Sequence, residues 1–202
     1  SKDEIMKRLT AKFGHYEVVS DERARITENI WSGMFPKLEG DPIIQIGTTV
    51  YFFGNNECAY KYIATLGKCA PIEDDLVEVE SFDTEKDCIM GWVDFMRRLD
   101  PDIITGYNIW GFDWDYIYGR AVTGNGGSVA PYHELLYRKL QRLNYGQIEK
   151  RKVELTIQDL SSSALGVNIL KFIDIEGVVQ MDLLKVVQRD HKLDSYKLDN
   201  VA

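Results

Sequence analysis

The chain has 202 residues, of which 45% are hydrophobic and 11% aromatic, and this composition excludes an intrinsically disordered protein. A formal net charge of −8 argues against a protein that coats duplex DNA through a broad basic face. No apolar run approaches the roughly 18 residues that a membrane-spanning helix needs, and residues 1–10 lack the apolar core of a secretory signal. We therefore expect a soluble intracellular chain with no membrane partner.

The first predicted elements are strands, followed by a helix. Strands rich in β-branched and aromatic residues, or alternating in polarity, are predicted at 41–53, 59–66 and 76–82, with a turn at 54–57. The first of them, DPIIQIGTTVYFF, is expected to be a central strand of the sheet. Thr84 and Asp87 form a capping pattern, and apolar residues then recur at helical spacing as far as Asp100.

The second half of the chain alternates helices with shorter strands. The pattern predicts a strand at 102–107, followed by helices from 112 to 123 and at 131–143. It then predicts a Ser-rich excursion at 144–168, a hairpin of 170–175 with 178–181, and helices at 182–188 and from 195 onward. This order indicates a mixed sheet with helices packed on it, an α/β arrangement that many unrelated proteins share.

The residues with the clearest chemistry follow the strand at 102–107. Asn108 comes at the end of that strand, and Phe112 and Asp113 come at the start of the next helix. A carboxylate in this position can point into a cleft at the sheet edge and bind a divalent cation. The alternative is that Asp113 is an ordinary helix cap or first-turn acid.

The string Thr105-Gly-Tyr-Asn-x-x-x-Phe-Asp-x-x-Tyr116 resembles the second exonuclease motif of the family B DNA polymerases. The resemblance implies that Asp113 is a catalytic metal-ligand aspartate. It also implies that Asn108, Phe112 and Tyr116 contact DNA near the 3′ end of a strand. An aromatic such as Phe112 can stack on a terminal base without reading the identity of that base.

Other segments are similar to the same family in the same order. They are Met34-Phe35-Pro36, 40–47, 161–166, 181–185 and 198–202. These segments most resemble those of delta-type polymerases and of the polymerases of large nucleocytoplasmic DNA viruses. The resemblance implies an RNase H-like mixed β-sheet flanked by helices. It divides the chain into residues 1–30, an N-terminal extension or altered first strand, and residues 31–202, an exonuclease-like domain truncated before the third exonuclease motif.

Family B exonucleases hold two metal ions, Mg²⁺ or Mn²⁺, with four carboxylates, and the resemblance implies the same type of site here. The first pair should come from an Asp-x-Glu strand, but the nearest counterpart offers only Glu17, with His15 in the Asp position. Glu17 as a surface acid is the alternative. The literal Asp-Ile-Glu at 174–176 lies after the second motif and is interpreted as a turn. The Tyr-x-x-x-Asp motif is expected beyond Ala202, so we expect an incomplete metal site.

These observations predict the 3′→5′ proofreading exonuclease region of a family B DNA polymerase, weak or inactive as this fragment. The alternative is a catalytically silent exonuclease-like domain that guides the strand, and an unrelated α/β binding module is a third possibility. The implied partners are a single-stranded DNA 3′ end or primer-template and the remainder of the polymerase chain. The implied location is the nucleus, or the cytoplasm of a host if the source is viral.

Overall fold

The computed structural model describes residues 40–142, 153–162 and 166–201. In chain order, the elements of this part are β1 (Gln45–Val50), β2 (Tyr60–Leu66), β3 (Val77–Phe82), α1 (Glu85–Leu99), β4 (Ile103–Gly106), a π-helical turn (Ile109–Asp113), α2 (Trp114–Gly127), α3 (His133–Leu140), β5 (Thr156–Ser162), β6 (Gly166–Phe172), β7 (Val179–Asp182), α4 (Leu183–Asp190) and α5 (Leu198–Val201). None of the helices here has the length and apolar character that crossing a membrane requires. The expected domain boundary at residue 30 lies outside the described residues and stays a prediction.

The first sheet has the strand order β1-β2-β3. β1 and β2 are antiparallel, as the predicted turn at 54–57 requires, whereas β2 and β3 are parallel, so the sheet is mixed. β1 is shorter than the predicted strand at 41–53. Among the described residues it pairs with β2 alone and lies at an edge, so the expected central position is not observed there.

Helix α1 covers this sheet. Thr84 is its N-cap and accepts a hydrogen bond from the Asp87 N–H at 3.1 Å, which confirms the predicted capping pattern. The helix ends at Asp100, whose left-handed backbone (φ 50°) lets its N–H donate to the Met96 carbonyl. The apolar side of the helix lies in the core and consists of Cys88, Ile89, Met90, Trp92, Val93, Phe95 and Met96.

Two aromatic contacts join α1 to the sheet. The Tyr62 and Phe95 rings stack with centroids 4.0 Å apart, and the Trp92 indole N–H donates to the Thr48 hydroxyl at 3.0 Å. Such stacked rings add roughly 0.5–1.5 kcal/mol to the stabilisation from burial alone. The position of α1 over the first sheet is therefore fixed by both packing and a hydrogen bond.

The predicted hairpin of 170–175 with 178–181 is wrong. β6 pairs in an antiparallel sense with β5, and β7 pairs in parallel with β4. The chain does turn at Glu176 and Gly177, where Gly177 has a φ of 83° that favours glycine. After this turn the chain enters β7, in which each residue pairs with a β4 residue 76 positions earlier, as Val179 does with Ile103.

The helices after β4 are close to their predicted positions. α2 leaves helical geometry at Gly124, where φ becomes 61°, so its regular part ends where predicted. α3 is shorter than the predicted 131–143, because Pro131 lies before the helix and Tyr132 is its first flanking residue. Residue 143 lies outside the described residues. The predicted helix at 182–188 is α4, with Asp182 as its N-cap.

Candidate functional site

The candidate site lies on the turn between β4 and α2. Asn108 has a left-handed backbone (φ 63°, ψ 27°), a conformation that Asn tolerates better than most residues. Its carbonyl accepts from the N–H groups of both Gly111 and Phe112 at 3.0 Å. The Trp114 N–H donates to the Ile109 carbonyl, which closes the π-helical turn. Asn108 is therefore needed for the shape of the turn, apart from any contact with DNA.

The Asn108 side chain is packed against the middle of this turn. A Cβ atom on Gly111 would lie 2.3 Å from the Asn108 Oδ1, closer than real contacts allow. Any larger residue at position 111 would push the amide of Asn108 out of its place. The combination of Asn108 and Gly111 thus fixes both the backbone and the amide side chain at the end of β4.

Asp113 ends the π-helical turn, directly before α2. Its backbone is helical (φ −61°, ψ −50°) and its side chain makes no capping hydrogen bond. A true N-cap has non-helical angles and accepts from the next turn, so the capping explanation of Asp113 does not hold. The residue is exposed, yet partial shielding from water and, secondarily, the negative charge of Asp182 raise the pKa of its carboxyl. The turn thus presents a carboxylate that makes no helix-capping hydrogen bond.

Phe112 and Tyr116 form a stacked pair on the outer side of the turn. Their ring centroids are 5.3 Å apart and the ring planes differ by 18°. The Tyr116 hydroxyl donates to the Asp41 carbonyl at 2.6 Å, and this hydrogen bond holds the Tyr116 ring in place. Phe112 is 57% exposed. A supported aromatic ring with one open face is suited to stacking on a base.

Asp182 is the site residue that sequence reasoning missed. Its side chain is 1% exposed and accepts from the N–H groups of Asn108 at 2.8 Å, Trp110 at 3.1 Å and Leu184 at 2.9 Å. An Asp before an amphipathic helix does indicate an N-cap. Its link to the turn at 108–110 follows only from the parallel register that places Gly106 beside Asp182.

The Asp-Ile-Glu at 174–176 lies away from this turn. It runs into the turn at Glu176 and Gly177 that leads into β7, whereas Asp182 ends that strand. The Gln141 side chain holds it by donating to the Asp174 carbonyl and accepting from the Glu176 N–H. The interpretation of this segment as a turn is therefore confirmed.

The described residues contain no group of three or more His, Cys, Asp or Glu side chains that could hold a metal ion. Divalent cations such as Mg²⁺ take about six oxygen ligands. Asp113 offers one carboxylate, and Asp182 is committed to backbone N–H groups. This part of the chain therefore does not fit a complete metal site, and Glu17 lies outside it.

Comparison with known proteins agrees with the motif. Residues 27–201 match the family model for the exonuclease domain of DNA polymerase family B. A DNA polymerase of Pyramimonas orientalis virus is 46% identical over 175 residues, which cover 87% of this chain and 13% of that polymerase. The DNA polymerase delta catalytic subunits of Oryza sativa subsp. japonica and Bos taurus are 39% and 35% identical over 170 residues, in each case 84% of this chain and 14% of the relative.

The chain thus spans about one seventh of the length of the curated relatives that it matches. The mixed α/β arrangement of strands and helices is that expected for the matched domain. The matched domain is a metal-dependent type of nuclease. Because the family model covers most of the chain, and relatives above 30% identity cover more than four fifths of it, this chain belongs to the family B DNA polymerases, as their exonuclease domain.

Proposed function

We propose that this domain is the 3′→5′ proofreading exonuclease region of a DNA polymerase and that it acts on single-stranded 3′ ends. The main observation behind the proposal is the turn after β4. It presents the Asp113 carboxylate, which makes no capping hydrogen bond, next to the exposed ring of Phe112. One residue suits a cation and the other suits a base. A terminal mismatch unpairs at lower cost than a matched end, so it reaches such a site more often.

Each residue of the turn has a separate role in this proposal. Phe112 stacks on the terminal base, with Tyr116 supporting it from behind. Asn108 shapes the turn and contacts the strand near its 3′ end. Asp113 is a ligand for Mg²⁺ or Mn²⁺ in a two-metal site. The other ligands are not among the described residues, and the resemblance attributes them to an Asp-x-Glu strand and a Tyr-x-x-x-Asp helix.

The partners and location follow from the relatives and are part of the same proposal. The domain would contact a primer-template and the remainder of a polymerase chain. Its place of action would be the nucleus, as part of a delta-type polymerase, or the cytoplasm of a host if the source is viral.

A second function is favoured by the shortage of carboxylates. Among the described residues the turn offers one carboxylate without a capping hydrogen bond, that of Asp113. These residues contain no group of three side chains that could hold a metal ion. A domain that guides the strand without cutting it would need Phe112 and Asn108 but not a complete metal site. This catalytically silent role is therefore the alternative.

The first prediction separates these two functions. We expect the isolated 202-residue chain to digest a 5′-labelled single-stranded oligonucleotide weakly or not at all with Mg²⁺, because its described residues contain no group of three ligands for a metal ion. We expect the longer polymerase chain that carries this domain to digest it from the 3′ end, and Asp113→Ala to abolish that digestion. Product ladders on denaturing gels measure both.

Three outcomes would contradict this prediction. Digestion by the long chain that survives Asp113→Ala would remove the proposed role of Asp113, and an inactive long chain would favour the silent function. Robust digestion by the isolated chain, lost on Asp113→Ala, would show that it holds the missing ligands. Glu17, Asp174 and Glu176 would then be the next residues to replace.

The second prediction concerns Phe112. Stacking of a base on an aromatic side chain is worth about 1–3 kcal/mol, so Phe112→Ala should weaken binding of a single-stranded 3′ end by about fivefold to 150-fold. The loss should be similar for all four terminal bases, since every base has a stacking face. Fluorescence anisotropy without divalent cations measures it. Phe52→Ala is the control, because Phe52 is 67% exposed on the β1–β2 connection and is not part of the turn. Equal losses in both variants would refute a specific role for Phe112.

A further inference from the structure

A buried carboxylate lies under the turn that carries the proposed active residues. The Asp182 side chain is 1% exposed, and its hydrogen-bond partners among the described residues are three backbone N–H groups. Burying a charge without hydrogen bonds or a counter-charge is very costly. The three N–H groups provide this compensation, and hydrogen bonds to an ionised acceptor are about twice as strong as neutral ones.

The backbone at Asn108 is shaped to receive this carboxylate. Because Asn108 is left-handed and the following residues are helical, the N–H groups of residues 108 and 110 converge on one point. Convergent N–H groups of this kind form a concave site for an anion. Here Asp182 fills that site, with its Oδ1 accepting from Asn108 and its Oδ2 from Trp110.

The same carboxylate connects two elements that are distant in sequence. Its Oδ1 also accepts from the Leu184 N–H and so caps α4, while β7 brings it alongside the end of β4. The position of the turn at 108–113 therefore depends on the end of β7. A shift of Asp182 would move the backbone at residues 108–110 and, with it, the following residues Phe112 and Asp113.

We propose that Asp182 is a positioning residue, whose buried carboxylate holds the turn at 108–113 so that Phe112 and Asp113 face the DNA strand. Neither the motif resemblance nor the family comparison gives Asp182 this role. The inference rests on the proposed exonuclease function for its meaning, but its structural part can be tested without any catalysis.

Two substitutions separate the turn from the helix cap. Ser and Asn both cap helices about as well as Asp, so both variants keep the bond to Leu184. Asp182→Ser is too short to reach the turn and loses the bonds to Asn108 and Trp110. Asp182→Asn keeps one oxygen for Asn108 and Leu184 but presents its amide N–H₂ to the Trp110 N–H, donor against donor. Thr84→Ala is the matched control, since it removes the N-cap of α1 and no hydrogen bond to the turn at 108–113.

Amide hydrogen exchange, measured by NMR on the 202-residue chain, is the first readout. We expect the Trp110 amide to exchange about tenfold to a hundredfold faster in both Asp182 variants, and the Asn108 amide to do so in Asp182→Ser only. Thr84→Ala should change neither amide. Unchanged exchange at Trp110 in Asp182→Ser would overturn the inference, and so would fast exchange of both amides in the parent chain.

Digestion of a single-stranded 3′ end by the longer polymerase chain is the second readout. We expect kcat to fall about tenfold to a hundredfold in Asp182→Ser, as it does when partners that orient metal ligands are lost, and to stay unchanged in Thr84→Ala. An equal fall in both variants would reduce Asp182 to a general stabilising residue. A parent polymerase without exonuclease activity would refute the proposed function, while amide exchange would still decide whether Asp182 holds the turn.

Discussion

Replacing Asp113 with Asn is expected to leave the free energy of unfolding within about 0.5 kcal/mol of the parent value and to weaken Mn²⁺ binding at least about tenfold. Stability should not change, because the Asp113 side chain is exposed and makes no capping hydrogen bond. Cation binding should weaken, because hard divalent ions gain from each negatively charged oxygen ligand. Thermal denaturation and isothermal calorimetry measure the two quantities.

The neighbouring Asp115 provides a control with the same change of charge. Asp115 also lies at the start of α2, but its carboxylate pairs with the Lys171 amine at 2.7 Å. This pair is partly exposed, so Asp115→Asn should cost no more than about 1 kcal/mol and leave Mn²⁺ binding unchanged. If Asp115→Asn weakened binding as much as Asp113→Asn, the effect would reflect the general negative field rather than a ligand.

The opposite pattern for Asp113 would be equally informative. A loss of stability in Asp113→Asn with unchanged Mn²⁺ binding would mean that the charge serves the start of α2. The assignment of a nuclease site to this turn would then depend on family membership alone. The absence of a capping bond in the structure is the reason that we expect the first pattern.

Local features of the fold could be predicted because they depend on residues that are close in sequence. The Thr84 cap, the end of α2 before Gly124 and the turn at Gly177 each follow from one or two residues with strong backbone preferences. The string that contains Asp113 lies within twelve residues, so its membership of a known motif could also be seen. The structure places that string on the turn after β4, as its strand-turn-helix pattern indicates.

Strand pairing could not be predicted in the same way. The segments around Gly177 have the apolar pattern of a hairpin, but each strand has its partner elsewhere in the chain. Alternation shows which face of a strand is apolar and does not identify the neighbouring strand. The role of Asp182 was hidden for the same reason, since its bond to Asn108 joins residues that are 74 positions apart. The left-handed backbone of Asn108 was not predicted either, because the motif resemblance already explained the presence of an Asn at this position by contact with DNA.

A large loss of stability is expected from a single change at the buried pair of Glu85 and Arg120. Both side chains are less than 8% exposed, and the guanidinium donates to the two carboxylate oxygens at 2.7 and 2.6 Å. Glu85 also accepts from the Ile43 N–H, and Arg120 donates to the Gly40 carbonyl. The pair therefore ties the segment before β1 to both α1 and α2.

Arg120→Ala should lower the free energy of unfolding by about 3–5 kcal/mol, because it leaves the Glu85 carboxylate buried without its counter-charge. Urea denaturation followed by fluorescence measures this loss. The control is Arg142→Ala, whose partners Asp100 and Asp102 are exposed, and it should cost at most about 1 kcal/mol. A loss below 1 kcal/mol in Arg120→Ala would show that water reaches Glu85 or that the segment before β1 can rearrange.

The double variant Glu85→Leu with Arg120→Met completes this test. Replacing both members of a buried ion pair by apolar residues of similar volume is often close to neutral, so the double variant should be more stable than Arg120→Ala. It should still loosen the segment at 40–43, because the bonds to Ile43 and Gly40 are lost. Since the Asp41 carbonyl in this segment holds the Tyr116 hydroxyl, Phe112 would lose part of its support. A stable double variant that binds single-stranded 3′ ends more weakly would therefore connect the buried ion pair to the stacking surface through the backbone of residues 40–43.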